Sequence, residues 1–350
     1  MYKQNYLEVV DEADRQNVFI SSILYSRAVV FHPADRFTPH MKKRLVEVAN
    51  KGGISMTNPL ETTYVQSYGD KFKIDLHVSY LLQSHRDILD AILSFAQKIQ
   101  LNDESYDAGL SLSWPQVFET LGDNVSRSDS QSDEVFFDSI IDSDDTVLSI
   151  SLYDLAKKIG LSPTRDNYNV IENRIVQMSS VFLTASRLNK NDETEDVCMI
   201  NLIKDFRFVT DRSKHKNKRG DGRSLTNHVF IIPDHRLLQS IREYGHFKRN
   251  QQWKMSSYRR APVRSFIKFL TTNKPDYVRG KKLSWMVNRY MSSFLTPPNR
   301  TFKGELIKSI SGYAENLAHD FGLSVVDCES GKEQVLLVDQ RVDDNWMFDV

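Results

Sequence analysis

The stretch "FLTPPNRTFKGELIKSI" carries Asn299, Arg300, Thr301, Lys303 and Lys308, with Glu305 as its one carboxylate and Glu315 the next after it. These are hydrogen-bond donors and fixed cations. Arg and Lys pair with guanine edges or phosphates, and Asn pairs with adenine. A second set, Arg165, Asn169, Asn173, Arg174 and Gln177, lies in "RDNYNVIENRIVQM". A third, Arg259, Arg260, Arg264 and Lys268, lies in "YRRAPVRSFIKF". The chemistry such sets perform is the gripping of a polyanion.

Catalytic and metal-binding readings find less. "ESGKEQ" has a Gly-Lys pair but lacks the other residues of a phosphate-binding P-loop. No His-x-His pair sits beside a strand at His77 or His85, as a rolling-circle nuclease would need. His215, His228, His235 and His246 are scattered among basic residues. Asp142, Asp144 and Asp145 could hold a divalent cation, but they stand in a low-complexity acidic stretch. Trp285 and Tyr290 are expected in the core. Cys198 and Cys328 are too far apart in sequence to suggest a metal knuckle or a disulfide framework. The expectation is therefore a non-enzyme without cofactor or metal.

Helices must present the cationic sets. Pro297 and Pro298 block helix, Asn299 can cap, and Phe302, Leu306, Ile310, Tyr313, Leu317 and Phe321 form one apolar stripe of a long helix closed by Gly322. Arg300, Lys303 and Lys308 lie off that stripe. "SLYDLAKKIGLSPTRDNYNVIENRIVQMSS" reads as two helices about a Gly turn. Ser151 and Asp154 resemble a capping box, Gly160 ends the first helix, Ser162 caps the second and Pro163 takes its first position. This is a helix-turn-helix. "SVFLTASRL", "VCMINLIKDFRFV" and "NHVFIIP" supply strands behind it, which makes it a winged helix. The order returns in "KKLSWMVNRYM", "SSFLTPPN" and the long helix, with strands "LSVVDC" and "EQVLLVD" after it. The second copy's leading strand is not evident. Upstream, "ETTYVQSYGDKFKIDLHV" reads as a hairpin turning at Gly69-Asp70, and "SHRDILDAILSFAQKIQ" as an amphipathic helix with Ile88, Ile92, Phe95 and Ile99 on one side.

The 350 residues carry no net charge, which conceals an asymmetry. Residues 102–145 hold 12 acids and one base, whereas residues 204–308 hold 25 bases and seven acids. The first stretch reads as a mobile acidic insert and the second as a polyanion-facing surface. A basic loop, 211–224, lies inside the second. No apolar run of about 18 residues occurs, and the N-terminus lacks a signal peptide's apolar region, so a cytoplasmic protein without membrane contact is expected.

In element order, "YDLAKKIGL…NYNVIENRIVQMSSVFL", "HVFIIPDHRLLQSI", "YRRAPVRSFIKFLTTNKPD" and "KLSWMVNRYM…RTFKGELIKSISGYAENLAHDFGL" resemble the Rep family of plasmid replication initiators, TrfA-like and RepE-like, over residues 80–340. The resemblance implies an α+β fold with two tandem winged-helix domains. Residues 1–79 would be an N-terminal α/β extension, 80–255 the first winged-helix domain and 256–350 the second with a leading linker helix. It implies binding to double-stranded DNA at origin repeats (iterons), origin opening, and recruitment of a host initiator and a replicative helicase. It implies a homodimer through the first domain, in a bacterial, nucleoid- or plasmid-associated setting. Arg300, Thr301, Lys303 and Lys308 match the base-reading positions of the second domain, and Arg165, Asn169 and Arg174 the exposed face of the first. The acidic insert and the basic loop depart from the family pattern. A winged-helix transcriptional regulator without initiator activity is the alternative, and an interaction scaffold a third reading.

Overall fold

The computed structural model describes residues 18–22, 25, 29–50, 58–67, 70–99, 112–114, 117, 140–142, 145–209, 227–243, 246–250, 255–273, 278–294, 298–327, 334–338 and 348–349. The fold is α+β. It opens with β1 (Val18–Ser22), β2 (Phe31–His32) and α1 (Pro39–Asn50). The expected hairpin follows as β3 (Glu61–Ser67) and β4 (Asp70–Leu76), with Glu61 opposite Leu76 and Ser67 opposite Asp70. Its turn residue Gly69 lies outside the described residues. Then come β5 (Leu81–Leu82), α2 (Gln83–Phe95) and β6 (Gln97–Lys98).

α2 is shorter and more deeply placed than its sequence pattern suggests. Polar Gln83, His85, Arg86 and Asp90 are buried along with Ile88, Leu89, Ile92 and Phe95. The helix stops at Phe95 because Ala96 turns extended, and Gln97 and Lys98 pair with Ser149 and Leu148. Ile99, expected on the helix, follows that strand.

The chain continues with β7 (Leu112–Ser113), β8 (Ile140–Ile141), β9 (Leu148–Ser151), α3 (Leu152–Lys158), α4 (Arg165–Ser180), β10 (Phe182–Leu188), β11 (Thr194–Asn201), β12 (Ile203–Val209), β13 (His228–Pro233), α5 (His235–Glu243) and β14 (His246–Asn250). "VCMINLIKDFRFV" is thus two strands, broken at buried Leu202. β3, β4, β10 and β11 form one antiparallel sheet, and β12, β13, β9 and β6 another, in the order β12-β13-β9-β6. The first core draws on Leu60, Phe72 and Ile74 as well as Leu152, Ile175 and Leu183. The N-terminal hairpin is therefore built into this core.

Part of the acidic segment is structural. Leu112, Trp114, Val117 and Ile141 form a small cluster with Val147, Phe230 and Ile232, and the Trp114 indole donates to Asp205 at 2.6 Å. A loop throughout was expected; the apolar residues spaced through it cover one side of β13 instead. The remainder of 102–145 and the basic loop 211–224 lie outside the described residues.

The last third comprises α6 (Ala261–Thr272), β15 (Lys281–Lys282), α7 (Leu283–Ser292), α8 (Phe302–Gly312), α9 (Ala314–Phe321), β16 (Leu323–Asp327), β17 (Gln334–Val338) and β18 (Phe348–Asp349). The leading strand that sequence did not reveal is β15. Gly280 before it takes φ +61°, and a Cβ there would stand 2.5 Å from the Leu336 carbonyl, so only glycine lets β15 close on β17. The long helix is broken at Tyr313 into α8 and α9, while its stripe stays inward: Leu306, Ile310, Leu317 and Phe321 are buried.

The chain traces the same order twice. α2, β9, α3, α4, β12 and β13 correspond to α6, β15, α7, α8–α9, β16 and β17. In both copies the leading strand pairs with the last one, giving β9-β13-β12 and β15-β17-β16. The first copy inserts the β10–β11 hairpin between its second helix and its closing strands.

A sealed ionic seam joins the copies where α2 meets α6. Lys268 is fully buried, and its Nζ lies 2.8 Å from both Asp87 Oδ1 and Asp90 Oδ2. Arg264 reaches Asp87 at 3.1 Å and Asp35 at 3.5 Å, and Arg86 reaches Asp90 at 3.5 Å. Burial alone would raise the Asp87 carboxyl; Lys268 and Arg264 overcome it and hold the group below its ordinary value.

Candidate nucleic-acid interface

The second helix of each copy carries the residues singled out by type. α4 starts two residues later than expected. Thr164, not Ser162, is its N-cap, accepting from the Asn167 N–H at 3.4 Å, and Pro163 lies ahead of the helix. The Asn167 amide instead donates to the Ser162 carbonyl at 2.8 Å, which holds Ser162 in the turn. Ser151 caps α3 as expected, accepting from Asp154 N–H at 2.9 Å. Gly160 takes φ +77° beyond the end of α3, and a Cβ there would meet Ser256 at 2.5 Å. The turn between α3 and α4 therefore sits directly against the segment that leads into α6.

Along α4, Arg165 and Asn173 are exposed and Asn169 is half-buried. Arg174 and Gln177, expected to point outward, are half-buried and tied inward. The Leu82 backbone N–H donates to His85 Nδ1 at 2.8 Å, which leaves the imidazole proton on Nε2. Nε2 donates to Gln177 Oε1 at 2.8 Å, and Arg174 donates to the same oxygen at 2.8 Å. Burial pushes the His85 imidazole down to about 4, with the Gln177 hydrogen bond opposing and Arg174 adding. Burial also lowers the Arg174 guanidinium. Sequence reasoning missed this chain because His85 sits on α2, far away in sequence.

In the second copy, Asn299, Arg300 and Thr301 are exposed ahead of α8, Lys303 is half-buried, and Lys308 is exposed. Thr301 rather than Asn299 is the N-cap residue, without a side-chain cap bond; Asn299 contributes its carbonyl to Phe302 N–H at 3.2 Å and its side-chain oxygen to the Thr301 hydroxyl at 3.2 Å.

The linker arginines separate into two roles. Arg260 is exposed and donates to Ser309 of α8 at 2.8 Å; with Glu305, Lys308, Gly312 and Tyr313 these residues line a cleft of about 450 Å³. Arg259 is exposed and lines a second cleft, about 300 Å³, with Lys158, Gly160 and Leu161 of the first copy's turn. Residues 256–260 thus touch both helix pairs. Arg264 differs, because its guanidinium is spent on Asp87, Asp35 and the Tyr258 and Arg259 carbonyls.

One further expectation changes. Trp285, expected in the core, is 45% exposed, whereas Tyr290 is fully buried. Position three after a polar strand end decides this: Leu283, Met286, Val287 and Tyr290 already fill the inner face of α7. Asp142 and Asp145 converge on Lys204, at 2.8 and 2.6 Å, with no third carboxylate among the described residues to make a cation site. Among the described residues no helix is long and apolar enough to cross a membrane.

No family model and no curated protein matches the chain. Two of the solved structures that align with the chain are of one protein, RctB. Domains 2 and 3 of RctB, as a selenomethionine derivative, align at 10% identity and TM-score 0.46, covering 91% of this chain and 99% of that one. A second structure of RctB domains 2–3 aligns at 10% identity and TM-score 0.41, covering 81% and 92%. Similarity of this degree assigns no function. What stands independently of it is a twice-repeated helix-turn-helix order with exposed cations on or beside each second helix.

Proposed function

We propose that the chain is a double-stranded DNA-binding replication initiator of two winged-helix units, which binds repeats at an origin. The observation that carries the reading is the repeat of one topology, helix, strand, helix, turn, helix and two strands, with the three corresponding strands in the same order in both sheets. A helix-turn-helix lays its second helix in the major groove, with N-terminal residues nearest the base edges. Arg165, Asn169 and Asn173 would serve α4 in that role, and Arg300, Thr301 and Lys303 would serve α8. Arg259, Arg260 and Lys308 would grip phosphates between them. Arg174 would act from the side of the α4 face. Arg264 is left to the seam between the copies. Two reading helices would occupy major grooves about one turn, roughly 34 Å, apart.

Origin opening, contacts with a host initiator and helicase, and dimerisation belong to the same proposal and rest on the resemblance in element order. The proposal assigns the chain no catalysis. Its test begins with selection from a pool of random duplexes. The selected site should bind more tightly than a scrambled duplex. If roughly 6 to 10 phosphates are neutralised, affinity should fall about 10³- to 10⁵-fold between ~50 and ~200 mM salt. A minimal plasmid carrying the gene and its flanking DNA then separates initiation from transcriptional regulation: replication without another initiator supports the proposal, and repression alone refutes its initiator part. Absence of any duplex binding refutes the whole.

A further inference from the structure

One surface of the second unit is not explained by its reading helix. Trp285 stands exposed on α7, with Lys281 Nζ 5.9 Å and the Arg289 guanidinium 5.5 Å from its ring centroid. Lys281 and Arg289 are themselves exposed, and among the described residues neither pairs with a carboxylate. Exposed Asn288 adds a polar group to the same side. From Tyr277 to Gly304 the sequence has six cations, Arg279, Lys281, Lys282, Arg289, Arg300 and Lys303, and no Asp or Glu. An exposed cation–π pair is worth only about 0.5–1 kcal/mol. That is little return for leaving a large indole in water between Lys281 and Arg289.

We propose that Lys281, Trp285 and Arg289 form a contact with the phosphate backbone of duplex DNA, beside the groove that α8 enters. The proposal rests on the DNA-binding reading above. α7 is the first helix of its pair and packs against α8. In this arrangement the first helix crosses the backbone while the second lies in the groove. Lys281 offers a point charge and Arg289 a planar fork, both suited to phosphate oxygens. The indole N–H is a donor only, and phosphate is an acceptor only. The ring face is already engaged by cations, so the edge bearing Nε1–H is what remains to offer. An edge-on donor suits a phosphate of paired DNA better than stacking on an unpaired base, which needs a free ring face.

The test uses the full chain with three probes: a duplex selected by the wild type, a scrambled duplex and an oligothymidine. Lys281→Ala and Arg289→Ala should each reduce the slope of log affinity against log salt by about 1, on both duplexes alike. Trp285→Phe keeps the ring and removes the donor; it should weaken duplex binding about tenfold and abolish the fluorescence change that binding produces at this indole. All three positions are exposed, so unchanged urea midpoints will show that folding is intact. Unchanged salt slopes and affinities in a wild-type background that binds duplex would overturn the proposal. So would a loss confined to the oligothymidine, which would mean base stacking, or a loss confined to the selected duplex, which would mean base reading. If the wild type binds no duplex, the DNA-binding reading itself fails.

Discussion

α4 is fastened by a side-chain network reaching across from buried His85 of α2, whereas α8, besides its inner stripe, is fastened only by single hydrogen bonds among the described residues, at Ser309 with Arg260 and at Ser311 with Gln334. On α4 the carbonyl of Gln177 is saturated by His85 and Arg174, so its amide cannot turn over and Arg174 has one favoured place. The start of α4 has a side-chain cap at Thr164; the start of α8 has none at Thr301. α8 instead has exposed Arg300 just ahead of its start and exposed Lys308 in the cleft that Arg260 also lines. The same topology therefore holds two differently prepared surfaces. The first presents hydrogen-bonding groups set in advance, and the second presents charge on side chains that remain free to settle on their target. In the proposed function, the first would lose little entropy on binding and the second would respond more to salt.

The largest expected effect comes from the seam between the units. Lys268→Ala leaves buried Asp90 and half-buried Asp87 without their main partner and should cost about 3–5 kcal/mol in urea unfolding. If the two cores unfold together in the wild type and in two steps in this variant, the seam is what couples them; a single transition at the wild-type midpoint would refute that. Next, Arg300→Ala should reduce preference for the selected duplex over the scrambled one by about 1–3 kcal/mol, while Arg259→Ala or Arg260→Ala weakens both equally. Equal losses on both duplexes for Arg300→Ala would erase the contrast between base reading and backbone contact.

The pH response sharpens the comparison further. His85 titrates near 4 in the fold against 6.5 as a free imidazole, so the unfolded chain binds the extra proton between those values. Stability should therefore fall as pH drops from about 6.5 towards 4. His32, also lowered to about 4 chiefly by burial, contributes to the same window, so His85→Gln should make the decline shallower without removing it. A decline of unchanged steepness in that variant would show that His85 does not carry it. Smaller again should be Ser151→Ala at the cap of α3, about 1 kcal/mol. Thr164→Ala should cost less, because its cap bond is long at 3.4 Å.

What the sequence revealed and what it hid follow from range. The helix pairs were legible because Ile171, Ile175 and Met178, or Leu306, Ile310 and Leu317, repeat at helical spacing, and all are buried. Gly160 and Ser151 announced local backbone needs that the structure meets. β15 escaped because two lysines carry no alternation, and its pairing partner lies at Val335 and Leu336. The break at Tyr313 escaped because it leaves the apolar stripe undisturbed. The buried charges were the most misleading: Arg86, Asp90 and Lys268 look like solvent-facing residues until α2 and α6 are brought together. Trp285 misleads in the opposite sense, since a large aromatic at helical spacing reads as core but stands 45% exposed.

In the proposed function the seam has a consequence for the target. With Lys268 closed in between α2 and α6, the two units would act as a gauge of fixed pitch, and the duplex would be the softer body. A site lengthened by half a helical turn between its two halves would carry the second half round to the far side of the rod. The protein could not swing to follow, so the DNA would have to absorb the mismatch in twist and bend, or release one half.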